Sequence, residues 1–136
     1  MINLNEIPLD FEPRKKIFST LPAFPGEPEM SEFESAFLCG ALKKFRPKKI
    51  LEVGVAGGAT TAIILQALEN LGAPYEMHSV DIAKKCPLVG YTTNDAGYVA
   101  TLAKEKIFGE LRGTHEFHLG KVLPQVIDEI GGKLIL

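Results

Sequence analysis

The sequence lacks the features of a secreted protein and of a protein stabilised by a structural metal ion. It has only two cysteines, Cys39 and Cys86, and their unrelated contexts exclude a disulfide framework and indicate reduced thiols. It has no Cys-x-x-Cys pair and no His/Cys cluster at the spacing of a zinc site. No apolar segment behind a positively charged flank marks a secretory signal. These absences predict a cytoplasmic protein.

Long apolar runs and a basic surface are lacking as well. The apolar stretches are only a few residues long, so none is predicted to span a membrane. The net charge of −2 leaves no cationic excess for nucleic acid or anionic lipid. We therefore expect neither a nucleic acid nor a membrane as a partner.

What the sequence does contain is an alternation of strand and helix patterns after residue 30. Residues 1–29 carry several prolines and no sustained period, which predicts an irregular N-terminal arm. A helix is predicted from Ser31, because Ser31 and Glu34 have the spacing of a capping box, and Pro47 ends it. Strands are predicted in "KKILEVGV", "YEMHSVDI" and "THEFHLG". Further helices are predicted after the glycine turn, over about 95–108 and in "VLPQVIDEI".

Such an alternation predicts an α/β domain over residues 30–136, with a Rossmann-like parallel sheet and helices on both faces. The chain ends in "GGKLIL", which is typical of a fourth buried strand. We therefore expect the N-terminal, cofactor-binding half of a sheet. The bare edge of that fourth strand favours pairing with a second copy, so a homo-oligomer is also an expectation.

The turn in "ILEVGVAGGATT" is the candidate binding element. Read from Gly54, it has alanine where a dinucleotide fingerprint requires its second and third glycines, and it lacks the lysine of a phosphate-binding P-loop. It does match Glu-x-Gly-x-x-x-Gly-x-Ser/Thr through Glu52, Gly54, Gly58 and Thr60. Asp81 ends the next strand, where acidic residues in related folds accept hydrogen bonds from ribose.

These motifs, together with the lead-in helix "SEFESAFLCGALKKFRPKKI", resemble the class I S-adenosylmethionine-dependent methyltransferases. The resemblance covers roughly residues 30–136 and is greatest to the small-molecule O-methyltransferases related to catechol O-methyltransferase. It implies transfer of a methyl group to a small-molecule acceptor, at a hydroxyl oxygen. It also implies these cofactor-binding residues: Glu52, Gly54, Val55, Gly58, Thr60, Asp81, Ile82, Leu119 and Gly120.

In that resemblance the residues have separate roles. Glu52 would lie near the methionine ammonium, the backbone from Gly54 to Gly58 along the methionine portion, and Thr60 at its carboxylate. Asp81 would bind the ribose hydroxyls. The adenine would be packed by Ile82 and bordered by Leu119 and Gly120.

The acceptor side is not assigned. In the resembling family the groups that bind a divalent metal or act beside the acceptor follow the fourth strand, so the ligands of such a metal would lie beyond Leu136. No catalytic residue is named, and the three histidines, His78, His115 and His118, are expected to be structural. Two alternatives stay open: an NAD(P)-dependent oxidoreductase, and a non-catalytic cofactor-binding fragment.

Overall fold

The computed structural model describes residues 3–21, 30–86 and 94–130. A short 3-10 helix, Leu4–Glu6, precedes the first α-helix, and a π-helix, Lys104–Phe108, continues the fourth. The α-helices are α1 (Glu12–Thr20), α2 (Glu32–Phe45), α3 (Ala59–Leu71), α4 (Tyr98–Ala103) and α5 (Leu123–Glu129). The strands are β1 (Lys49–Val53), β2 (Glu76–Asp81), β3 (Lys85–Cys86), β4 (Asn94–Asp95) and β5 (Thr114–Leu119).

The three longer strands form one parallel sheet in the order β1-β2-β5. Glu52 is in register with Ser79, and Ser79 with Phe117. The two short strands, β3 and β4, form a separate antiparallel pair. The predicted α/β class with a parallel sheet is confirmed.

Helices cover both faces of this sheet. Side chains alternate between the faces along each strand, so Met77 and Ser79 share one face and His78 lies on the other. Met77 belongs to the core in which α3 packs against α1, α2 and α4. Helix α5 contacts β2 from the opposite side, where the Lys49 Nζ donates to the carbonyl oxygen of Ile130 at 3.0 Å.

Helix α3 is the central helix of the domain. It is apolar on nearly all sides because the sheet and three other helices surround it, and Ala62, Ile63 and Leu65 have no exposed surface. Gly72 ends it with a φ of +74°, as the sequence pattern predicts. Within the described ranges, no helix has both the length and the apolar character needed to cross a membrane.

The predicted helix start at Ser31 is confirmed. Its hydroxyl oxygen accepts a hydrogen bond from the Glu34 backbone N–H at 3.2 Å, which satisfies one of the free amides at the start of α2. The helix ends at Phe45, and Arg46 takes a left-handed conformation just before Pro47.

The prediction of an irregular segment before residue 30 is wrong for residues 12–20, which form α1. Pro13 is in the first turn of that helix, where a missing N–H costs nothing, and Ile17 is fully buried in the core. The predicted helix over 95–108 begins later, at Tyr98, because β4 and Gly97 precede it. The predicted fourth strand, 133–136, lies outside the described residues.

Candidate functional site

The candidate site lies where the three parallel strands end. The Gly54 N–H donates to the Val80 carbonyl oxygen at 2.8 Å, which ties the glycine turn to the end of β2. The Gly120 N–H donates to the Asp81 carbonyl oxygen, also at 2.8 Å, which ties the end of β5 to the same place. The structure therefore brings together the glycine turn, Asp81 and Gly120, three separate parts of the predicted site.

Asp81 organises the glycine turn. Its Oδ2 accepts hydrogen bonds from the backbone N–H groups of Val55 and Ala56 at 2.7 and 3.0 Å, and its Oδ1 accepts one from Ala83 at 2.9 Å. Partial burial works to raise the pKa of Asp81, but these backbone hydrogen bonds outweigh it and the pKa is lowered. The backbone N–H of Ile82 also lowers this pKa, so the residues around the carboxylate favour its ionised form.

The glycines of the turn have two different reasons to be glycine. Gly54 has a φ of +89°, and a Cβ there would have no heavy atom within 4 Å. Gly58 has the same φ, but its Cβ would lie 2.6 Å from the Cα of Gly97. We expected ligand contact to be the reason for Gly58; in the structure the close neighbour in that direction is the backbone before α4.

The start of α4 covers one side of the turn. The Gly97 N–H donates to the Ala56 carbonyl oxygen at 2.8 Å, and the Val99 N–H donates to the Gly57 carbonyl oxygen at 2.9 Å. Ala56 has a φ of +48°, which is costly for a residue with a side chain. The turn is therefore held from two sides, by Asp81 and by the residues before and within α4, and sequence reasoning missed Gly97.

Glu52 is a buried acid below this turn. Its Oε1 accepts a hydrogen bond from the Thr61 hydroxyl at 2.6 Å, and its Oε2 is buried with no hydrogen-bond partner. Burial raises the pKa of Glu52 to about 7, although the hydroxyl groups of Thr61 and of Ser79, its register partner on β2, work against the shift. A buried carboxylate oxygen without a partner is costly, and it is suited to accept a hydrogen bond from a cationic ligand.

The first turn of α3 supplies the complementary group. Gly58 precedes the helix and offers no side-chain cap, so the amides of the first turn lack helical acceptors and favour an anion. Thr60 is half-buried in this turn, as expected for a candidate ligand contact. Thr61, which the motif does not include, is the residue that contacts Glu52.

The other predicted residues lie around this turn with different exposures. Ile82 follows Asp81 and is 77% exposed, so it offers apolar surface to a ligand. Leu119 is half-buried and Gly120 is exposed. The Val55 side chain is only 4% exposed and belongs to the core, so this residue offers the site only its backbone.

The arrangement therefore places an acceptor for a cation, the Glu52 carboxyl group, next to donors for an anion, the free amides in the first turn of α3. An α-amino acid carries both charges on one carbon, which suits such a pair. No protein-family model matches the sequence, and a search of curated proteins finds no significant match.

Proposed function

We propose that this chain binds S-adenosylmethionine at the glycine turn and acts in methyl transfer to a hydroxyl oxygen of a small molecule. The observation that carries the proposal is the unpartnered Oε2 of Glu52 beside the first turn of α3. A methionine ammonium would give that oxygen the donor it lacks. The methionine carboxylate would accept from the first-turn amides and from Thr60.

The rest of the cofactor is assigned to the ends of β2 and β5. The partly exposed carboxylate of Asp81 at the end of β2 suits a ribose hydroxyl, and exposed Ile82 suits the adenine face. Leu119 and Gly120 border the base. These assignments follow the motif resemblance and are compatible with the exposures of the residues.

Methyl transfer requires mainly that the acceptor oxygen and the methyl group are correctly positioned. When bound, the cofactor supplies an electrophilic methyl group on its sulfonium, and the acceptor oxygen must approach in line with the breaking bond. The residues of the glycine turn hold the methionine end and so fix the direction in which the methyl group points. The sulfur would keep the electron pair of the broken carbon–sulfur bond, and the acceptor hydroxyl would release its proton to the solvent.

A dinucleotide is the competing ligand, and Glu52 argues against it. Its carboxyl group hydrogen-bonds Thr61 in the first turn of α3, the place where a pyrophosphate would lie in a dinucleotide-binding fold. A buried acid there repels a phosphate whenever it is ionised.

The test compares three ligands by calorimetric titration at pH 8. We expect S-adenosylhomocysteine to bind, and 5′-methylthioadenosine, which lacks the amino-acid end, to bind about 10- to 100-fold more weakly, the size of one lost charged hydrogen bond. NAD should bind more weakly than S-adenosylhomocysteine. Tight binding of NAD without binding of S-adenosylhomocysteine would overturn the proposal.

Glu52→Gln is the variant that isolates the ammonium contact. It should remove most of the advantage of S-adenosylhomocysteine over methylthioadenosine, because the neutral amide no longer attracts the ammonium. The matched control is Glu110→Gln, which makes the same charge change at an exposed residue before the amino end of β5. An equal loss in both variants, or in neither, would contradict the assigned role of Glu52.

A further inference from the structure

The face of the sheet opposite α3 carries a pair of buried histidines. His78 on β2 and His118 on β5 are 7% and 4% exposed, and the His78 Nδ1 lies 2.9 Å from the His118 Nε2. They meet because His78 pairs with Glu116 in the parallel register, so that His118 is the next residue of β5 on the same face. The forty positions between the two histidines concealed this grouping from the sequence analysis.

The outer nitrogens of both rings face carboxylates. The His78 Nε2 lies 2.8 Å from Glu76 Oε2, and the His118 Nδ1 lies 3.4 Å from Glu129 Oε2. Each carboxylate is in turn paired with a lysine, Glu76 with Lys49 at 3.1 Å and Glu129 with Lys121 at 2.9 Å. These contacts orient both rings, so that their inner nitrogens point toward each other.

A third potential ligand atom, from a carboxylate, faces the inner nitrogens. The Oε2 of Glu116 lies 4.0 Å from the His78 Nδ1 and 3.9 Å from the His118 Nε2. In the plane of these three atoms, one point is equally far from all of them, at roughly 2.1 Å. This is the usual distance from zinc to a nitrogen or a carboxylate oxygen. The Glu116 side chain is 67% exposed and can adjust to a bound ion.

We propose that His78, His118 and Glu116 form a binding site for a divalent transition-metal ion, of which Zn²⁺ is the best probe. Two imidazoles and one carboxylate favour zinc, cobalt, nickel or iron over magnesium or calcium, which prefer oxygen ligands. Metal-binding histidines commonly donate their other N–H to a carboxylate, and both histidines here already have that partner.

The surroundings leave room for further ligands on the ion. A cavity of about 660 Å³ opens at the cluster, and its lining includes both histidines, Glu76, Glu116 and Glu129, with His115 and Ile130 also at its border. Three protein ligands and an accessible remaining position are typical of a site where water or a small molecule completes the coordination.

The experiment begins with the full chain stripped of metal by a chelator. We expect one equivalent of Co²⁺ to give a visible absorption band characteristic of nitrogen and oxygen ligands, and one equivalent of Zn²⁺ to abolish it. Absence of a saturable, zinc-displaceable band would overturn the proposal. The measurement is made without S-adenosylmethionine, and none of His78, Glu116 and His118 is assigned to that cofactor, so a failure of the metal site is distinguishable from a failure of the proposed function.

Variants identify the ligands. Glu116→Gln should weaken Zn²⁺ binding at least tenfold without loss of structure, because the side chain is exposed. Glu129→Gln, which alters the support of His118 and the ion pair with Lys121 but none of the proposed ligands, should weaken it by about 10- to 100-fold, and His118→Ala should weaken it further.

The matched control is His115→Gln. His115 borders the same cavity, but its ring is on the opposite face of the strand, where its Nε2 is 2.9 Å from the Ser79 hydroxyl oxygen, and it is not among the three proposed ligands. This variant should bind Zn²⁺ as the parent does. Unchanged affinity in both Glu116→Gln and His118→Ala, or an equal loss in His115→Gln, would overturn the assignment.

Discussion

At the scale of single residues, the two acids at the glycine turn have pKa values that are shifted in opposite directions. Asp81 accepts three backbone hydrogen bonds, and its pKa is lowered. Glu52 has one hydroxyl partner and one buried oxygen without a partner, and its pKa is raised to about 7. Asp81 therefore stabilises the turn as a carboxylate, whereas ionised Glu52 destabilises the ligand-free protein.

Glu52 makes the stability of the free protein depend on pH. Its pKa is about 7 when folded and near 4.5 when unfolded, so the folded state binds the extra proton between these values. The contribution of Glu52 is fully present below about pH 4.5 and is lost as the pH rises through 7. Relative to the parent, Glu52→Gln should therefore gain roughly 1–3 kcal/mol of unfolding free energy between pH 4.5 and pH 8.

Urea unfolding of both proteins at the two pH values measures this gain. Glu110→Gln again serves as the control, because an exposed carboxylate should leave the difference close to zero. A difference between parent and Glu52→Gln that stays constant with pH would contradict the raised pKa of Glu52.

At the scale of elements, the β1–α3 turn is a packed joint as well as a candidate binding loop. Its carbonyl groups accept from Gly97 and Val99, and its amides donate to Asp81. The sequence motif located this turn correctly between a strand and a helix. It did not show the contact with the start of α4, because that contact joins residues about forty positions apart and has no local signature.

Gly58 and Gly54 provide a matched pair to measure that contact. Both have a φ of +89°, so alanine at either position should cost about 1–2 kcal/mol of backbone strain. Only at Gly58 would the new Cβ collide with Gly97, at 2.6 Å from its Cα. Gly58→Ala should therefore lower the free energy of unfolding by about 1–3 kcal/mol more than Gly54→Ala does.

Thermal and urea unfolding of the two variants give the comparison. Equal destabilisation would show that the turn and α4 are not packed as described. If Gly54→Ala also weakens S-adenosylhomocysteine binding while the fold stays intact, the open space next to Gly54 faces the ligand.

At the scale of the whole molecule, the N-terminal helix is part of the domain core. Ile17 of α1 is fully buried, and Leu21 just after the helix is 4% exposed. Both belong to the core cluster around α3. Their apolar side chains are too few to show a period within a proline-containing segment, so the sequence analysis assigned this helix to an irregular arm.

Ile17→Ala tests this placement. Removing a fully buried isoleucine side chain typically costs about 2–5 kcal/mol of unfolding free energy, and the loss should appear in a single cooperative transition. The control is Ile82→Ala, the same substitution at a residue that is 77% exposed, which should change stability little. A small effect at Ile17 would mean that α1 contributes little to the core.

The sequence by itself determined the features that depend on local pattern. The apolar strands, the cap at Ser31, the left-handed glycine at Gly72 and the position of Asp81 at a strand end all follow from the periodicity and conformational preferences of neighbouring residues. Parallel strands then necessarily align their carboxyl ends, which predicted that the glycine turn, Asp81 and Gly120 would meet.

Only the tertiary structure decided which side chains meet across strands and helices. It placed Thr61 against Glu52, Gly97 against Gly58, and His78 against His118. These contacts depend on strand register and helix packing, since a shift of one residue in β5 would move His118 to the other face of the sheet. The unpartnered oxygen of Glu52 and the converging histidine nitrogens therefore became visible only in the folded chain.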